Sequence, residues 1–220
     1  MLQNSLIIIG AYFWGGIPSA YIIGKLIKRI DIREYGSGNV GASNITINFN
    51  IWMGLSVGTF DTIVKSTIPI VLANLFDQSL WIQMSIGIAT IAGHNWSPYL
   101  KFTGGRGIST TIGVMLGLVM WKEIISGIIL LGIIGHMILK QTALFTLITA
   151  ISLPFITYFA NGNVELTYIS VSFTTLIILK RLTSNWSSPP SNQLLVKTLI
   201  LRFLWDRDLR EKDIWTSRKP

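Results

Sequence analysis

Apolar residues run along this chain in seven stretches, near 5–27, 52–76, 79–96, 107–121, 123–139, 142–160 and 164–179, with short polar segments between them. Most approach or exceed the roughly 18–20 residues that carry an α-helix across a bilayer. Runs such as Ile124–Ile134 and Ser170–Leu179 do not alternate as barrel strands would. Lys and Glu do not recur at helical spacing as they would on the polar faces of a soluble bundle. The pattern predicts an all-α integral membrane protein of about seven transmembrane helices. The third and fourth stretches are short or polar at one end, which leaves room for partial entry into the membrane. The first lacks a basic leading region and a small-residue cleavage site, so it is expected to stay as a helix. No internal repeat suggests inverted halves.

Composition sharpens this picture. Half of the residues are apolar and 13% are charged, against about a quarter charged in a soluble domain. Lysine and arginine gather in the odd-numbered connections: Lys25, Lys28, Arg29 and Arg33 in the first, Lys101 and Arg106 in the third, Lys140 in the fifth. Lys180, Arg181 and seven further basic residues follow the last stretch, whereas the even connections hold only Lys122 beside Asp77, Glu123 and Glu165. By the positive-inside rule the N-terminus is outside and the C-terminus cytoplasmic. Residues 1–185 read as a seven-helix membrane domain and 186–220 as a basic amphipathic cytoplasmic tail. In that tail Leu194, Leu195, Leu199, Phe203 and Leu204 share a helical face, and Lys197, Arg202 and Arg207 suit an anionic leaflet. The formal charge of +8 is thus an orientation signal and an attraction to membrane lipids, not a sign of nucleic acid. Cysteine is absent, which excludes disulfides and thiolate chemistry. Two distant histidines with no carboxylate cluster predict no metal, and nothing calls for a cofactor.

Chemistry concentrates in two of the connections. Gly36-Ser37-Gly38-Asn39-Val40-Gly41-Ala42-Ser43-Asn44 holds three glycines, two serines and two asparagines. Such a backbone can turn consecutive N–H groups toward an anion, with Ser37, Asn39, Ser43 and Asn44 as neutral donors. The spacing also satisfies G-x-G-x-x-G, but a charged juxtamembrane segment precedes it rather than a strand, which removes the dinucleotide reading. By itself this loop is equally a phosphate site and a flexible linker. The third connection ends in Gly104-Gly105-Arg106-Gly107 just before an apolar run. Arg106 can grip a phosphate bidentately, and a helix N-terminus adds donors and a favourable dipole. Trp96 and Tyr99 read as interfacial anchors, and Lys101 as an orientation charge.

Within the spans, Asp61 and Lys65 stand four apart on one helix face and can pair. The residues leave open whether Lys65 is structural or touches substrate. His94 is open between general base and hydrogen-bonded turn residue, and His136 reads as a packing or interface residue.

These two loops, in this order, resemble the bacterial acyl-phosphate:glycerol-3-phosphate acyltransferases, from the first span to about residue 180. Gly36–Asn44 is similar to that family's S-G-N-x-G-A-T-N motif, and Gly93 through Thr110 to its second motif, with Arg106 where lysine is usual. Lys65, four residues before Pro69, is similar to a lysine of the family's second span. The chain departs at Ile47, where arginine is usual, and at Lys180-Arg181-Leu182-Thr183-Ser184-Asn185, where H-R-x-N is typical. A later family glutamate has no counterpart.

The resemblance implies transfer of a fatty acyl group from acyl phosphate to the sn-1 hydroxyl of glycerol 3-phosphate. The product would be lysophosphatidic acid, and the acceptor's own phosphate would assist removal of the hydroxyl proton. Ser37, Arg106 and Asn185 would be the catalytic residues. Gly38, Asn39, Gly41, Ser43 and Asn44 would hold one phosphate; Gly104, Gly105 and Gly107 the other, joined by Lys65, His94 and Arg181. The enzyme would be a multi-pass plasma-membrane protein with its site facing the cytoplasm, and the acyl chain would lie between helices. Another phosphorylated alcohol as acceptor, or lipid and phosphate binding without catalysis, remains open on these residues, as does the oligomeric state, a monomer being compatible.

Overall fold

A computed structural model describes residues 2–187, 194–209 and 211–217, and the regular elements among them are helical. Residues 188–193, 210 and 218–220 of the expected tail lie outside the described residues. Helices α1 (Leu2–Gly15) and α2 (Ser19–Ile23) continue through a π-helical turn at Gly24–Lys28 into one apolar segment. After a loop and the short α3 (Ala42–Asn48), α4 (Ile51–Thr59), a π-helical stretch at Phe60–Thr67 and α5 (Ile68–Leu75) form the second segment. Then come α6 (Leu80–Asn95), α7 (Ile108–Gly117), α8 (Trp121–Gly127) with its π-helical extension Ile128–Ile138, α9 (Thr142–Asn161) and α10 (Val164–Thr183). The tail contributes α11 (Leu195–Trp205) and α12 (Lys212–Thr216).

All seven expected stretches are helical, but they differ in reach. Five are long and apolar enough to cross a membrane: Leu2–Lys28, Ile51–Leu75, Trp121–Ile138, Thr142–Ala160 and Val164–Thr183. At about 1.5 Å per residue, the 16 residues of α6 and the 10 of α7 fall short of a bilayer core of about 30 Å. Those two are the stretches whose length or polarity already set them apart. Large apolar side chains stand outward along the others, among them Trp52, Phe76, Phe155 and Phe159. In water this surface would aggregate; in lipid it costs nothing to expose.

Because lipid gives apolar side chains no reason to leave it, the helices are held by close fit and by internal hydrogen bonds. One close fit is between α1 and α6, where a Cβ on Gly93 would stand 2.0 Å from the Tyr12 carbonyl oxygen. A second pattern concerns Pro154, inside α9. Proline has no N–H for the Ala150 carbonyl one turn back. Thr174 Oγ1, on α10, donates to that carbonyl instead, and Thr157 Oγ1 meets Ser170 Oγ at 2.7 Å beside it. Two apolar clusters result. One, built on Ile91, Val114, Ile169 and Phe173, joins α6, α7 and α10. The other, with Ile32, Val40, Ile45 and Val57, lies beneath the first loop. The first and third connections and the segment that follows α10 gather at the same end of the bundle.

Candidate functional site

The first loop is wound around one side chain. Asp31 starts it: its carboxylate accepts the Arg33 N–H at 3.0 Å and grips the guanidinium through Nη2 at 2.7 Å. That pairing holds the Asp31 carboxyl below the usual carboxylate range. After a turn at Ile32–Glu34 the chain reverses through Gly36 and Gly38, at φ +57° and +70°, where a side chain would be strained. Asn44, in the first turn of α3, faces back into the reversal and is wholly buried. Its Oδ1 accepts the Ser37 N–H, and its Nδ2 donates to the carbonyls of Ile32, Tyr35 and Asn39, each at 3.0 Å. Asn44 therefore shapes the loop with the whole of its amide. Ser37 and Asn39 are left at the turn, where Ser37 Oγ accepts the Asn39 N–H at 3.4 Å. Asn39 Oδ1 is buried with no hydrogen-bond partner among the described residues.

The second loop leaves the end of α6. Ser97 anchors it by donating to the Gly16 carbonyl at 2.6 Å, and a Ser97–Thr103 bridge closes it. Gly104 is clasped by Asn185, whose Oδ1 accepts its N–H at 2.9 Å and whose Nδ2 donates to its carbonyl at 3.3 Å. The Gly105 N–H donates to the His94 carbonyl at 3.0 Å, and a Cβ on Gly105 would come within 2.0 Å of His94 Nε2. These two glycines let the loop lie flat on His94, and their N–H groups are engaged inside the protein. Gly107, at φ +81°, caps α7, whose first-turn N–H groups face the loop. Lys180 Nζ donates to Asn185 Oδ1 at 2.6 Å and to the Asn95 carbonyl, and lies 5.5 Å from the Trp96 ring centre.

Beneath both loops lies a buried polar group carried by the π-helical stretch Phe60–Thr67. The wider turn lets Ser66 Oγ donate to the Asp61 carbonyl at 2.8 Å, and it directs Asp61 and Lys65 inward. The expected ion pair forms at 3.0 Å. Lys65 Nζ also donates to the Ile17 carbonyl at 2.8 Å and meets His94 Nδ1 at 3.1 Å. An ammonium has only three hydrogens, so Lys65 is fully engaged, and His94 Nδ1 is the acceptor. Its proton is thereby assigned to Nε2, on the side of Gly105. Ser19 Oγ donates to Asp61 Oδ1 at 2.7 Å and completes the set. A small cavity touches both loops and this group: Val40, Gly104 and Gly105 line it with Ser19, Lys65 and His94.

The structure thus brings together Val40, Lys65, His94, Gly104, Gly105 and Asn185. Gly41 and Ser43 sit at the start of α3, and Ser43 faces a separate groove of about 430 Å³ that Thr46, Gly54, Gly58, Thr62 and Ser109 also line. Arg181 is turned away: it is buried and donates to the carbonyls of Ala143 at 2.6 Å and Phe203 at 2.9 Å. His136 is exposed and meets Thr142 Oγ1 at 3.3 Å. The sequence gives no local sign of the contact on Arg106. Its Nε lies 2.7 Å from Asp206 Oδ2, a hundred residues along the chain, in the tail.

A family model described as glycerol-3-phosphate acyltransferase matches residues 5–188. The chain is 34% identical over 217 residues to glycerol-3-phosphate acyltransferase 5 of Dehalococcoides mccartyi, covering 96% of this chain and 91% of that one. It is 35% identical over 170 residues to the glycerol-3-phosphate acyltransferase of Halalkalibacterium halodurans, covering 76% and 82%. Among solved structures it is similar to PlsY, an integral membrane glycerol 3-phosphate acyltransferase. The glycerol 3-phosphate form superposes with a TM-score of 0.72 at 28% identity over 81% of this chain and 88% of that one. The lysophosphatidic acid form gives 0.71 at 28% identity over 83% and 89%.

Proposed function

This chain belongs to the glycerol-3-phosphate acyltransferase family, and from that membership we propose that it acylates glycerol 3-phosphate to lysophosphatidic acid, with acyl phosphate as donor. The observation that carries the reading is the meeting of the Gly36–Asn44 loop, the Gly104–Gly107 loop and Asn185 around Lys65 and His94. Both substrates carry phosphate, and two loops rich in small residues meet at one end of an apolar bundle.

The chemistry asks for placement more than for a nucleophile. In acyl phosphate the carbonyl carbon is joined to a good leaving group. The acceptor hydroxyl oxygen attacks that carbon, the carbon–oxygen bond to phosphate breaks, and inorganic phosphate departs with the bonding pair. The hydroxyl proton passes to the acceptor's own phosphate. Ser37 and Asn39, at the turn shaped by Asn44, serve one phosphate, and Arg106 with the first turn of α7 serves the other. Holding both reactants and meeting the departing charge is a sufficient source of rate. We assign the acyl chain to the groove beside Ser43 and Ser109, which begins next to both loops and opens between helices. The site faces the cytoplasm of the plasma membrane on this reading.

The test is phosphate release from palmitoyl phosphate by protein purified in mild detergent, with and without glycerol 3-phosphate. Release that depends on the acceptor and falls at least about a hundredfold in Ser37→Ala and Arg106→Ala is expected. Release that depends instead on another phosphorylated alcohol would move the acceptor assignment, to which Ile47 already draws attention. No release from a folded, monodisperse sample would sink the reading.

A further inference from the structure

We propose that Asp206, in the tail that follows the family-matched residues, is a positioning residue that orients the Arg106 guanidinium for phosphate. The inference rests on the acyl-transfer reading of the same site and names a component of it that lies beyond residue 188.

The geometry is two-pronged. Asp206 Oδ2 pairs with Arg106 Nε at 2.7 Å, and the Asp206 backbone carbonyl accepts from Arg106 Nη2 at 3.1 Å. Together they hold one edge of the guanidinium, Nε and one hydrogen of Nη2. A guanidinium has five donors in a rigid plane, so the Nη1 end and the second Nη2 hydrogen remain for a phosphate, their direction set by the held edge. The other carboxylate oxygen, Oδ1, is buried and meets no donor among the described residues. Among the described residues, the ion pair of this carboxylate is with Arg106.

The position of Asp206 is fixed independently of Arg106. It closes α11 in the left-handed region, at φ +56°, where glycine or asparagine is the usual residue. Its charge at a helix C-terminus opposes the helix dipole, so the helix end alone does not favour a carboxylate there. Buried Arg202 ties this end of the tail to the bundle, donating to the carbonyls of Ser187 at 2.8 Å and Leu182 at 3.2 Å and pairing with Asp208 at 2.5 Å. Arg181 adds its bond to the Phe203 carbonyl. A strap meant to lift would be joined by fewer buried bonds. Asp206 is set in place first, and Arg106 is steered against it.

Kinetics in both substrates, thermal unfolding and calorimetric binding of inorganic phosphate test this in the full-length protein. Asp206→Asn should raise the KM of one substrate, the one whose phosphate Arg106 holds, by about tenfold and leave the other KM unchanged. Asp206→Glu should recover part of the loss, and Asp206→Asn added to Arg106→Ala should change KM no further. Unchanged KM values, or a rise in both, would overturn the proposal. A lower KM or faster turnover would also overturn it, because the carboxylate would then be competing with substrate. If Asp206→Asn lowers the unfolding temperature, the comparison in the Arg106→Ala background decides, since a general structural effect would persist there. If the wild type turns over no acyl phosphate, the function reading falls alone. Phosphate binding weakened by Asp206→Asn would still support the positioning role, and unweakened binding would end it.

Discussion

Asn44 and Ser37 are the same kind of residue in the sequence, small and polar in a glycine-rich loop, and the structure separates them by burial. Asn44 is turned inward with its amide engaged by four backbone groups, whereas Ser37 stays at the turn. The motif therefore announced a polar loop but not which members shape it and which are free to meet a ligand. Asn44→Ala leaves the Ser37 N–H and the carbonyls that share the two amide hydrogens without their partner, at about 1–3 kcal/mol for each hydrogen bond lost where water does not reach. Asn44→Asp should be worse despite its equal size, because a second oxygen would face the carbonyls of Ile32, Tyr35 and Asn39. Thermal unfolding should rank wild type above Asn44→Ala above Asn44→Asp. Ser37→Ala should lose activity while keeping the wild-type unfolding temperature. Equal unfolding temperatures for Asn44→Ala and wild type would return Asn44 to the list of phosphate ligands.

At the scale of elements, helices were legible because apolar runs of the right length have few other solutions in a membrane. Their interiors were not. Nothing in Phe60–Thr67 marks a π-helical stretch, since the identity of a residue does not say which carbonyl its N–H will meet; yet that stretch brings Asp61 and Lys65 to His94. Pro154 leaves the Ala150 carbonyl without an N–H donor, and what meets that carbonyl lies on another helix. If Thr174 stands in for the absent N–H, Thr174→Val should cost about 0.5–2 kcal/mol, the range of hydrogen bonds between helices in a membrane. Pro154→Ala restores an N–H one turn after Ala150 and should make the same threonine replacement nearly neutral. A double-mutant cycle in detergent reads this directly: additive losses would mean that the Thr174 contact does not answer to the proline.

For the whole molecule, the arrangement depends on which connections share a face, and charge speaks to that where hydropathy does not. Five segments are long enough to cross, while α6 and α7 are short, so counting spans alone leaves the ends unassigned. The basic residues of the odd connections make an expectation for them, and two of the loops they mark, the first and the third, meet at Lys65, His94 and Asn185. The pairing of Arg106 with Asp206 had no such signal, because a contact across a hundred residues leaves no periodicity to read. The absence of cysteine makes the orientation directly measurable. Lys101, Asp77 and Ser217 are exposed and lie in the third connection, the second connection and the tail. In intact cells a membrane-impermeant maleimide should label Asp77→Cys and spare Lys101→Cys and Ser217→Cys, with all three labelled once the membrane is opened. Labelling of Lys101→Cys from outside would invert the protein. It would then place the two glycine-rich loops on the face opposite to the one that the positive-inside rule requires.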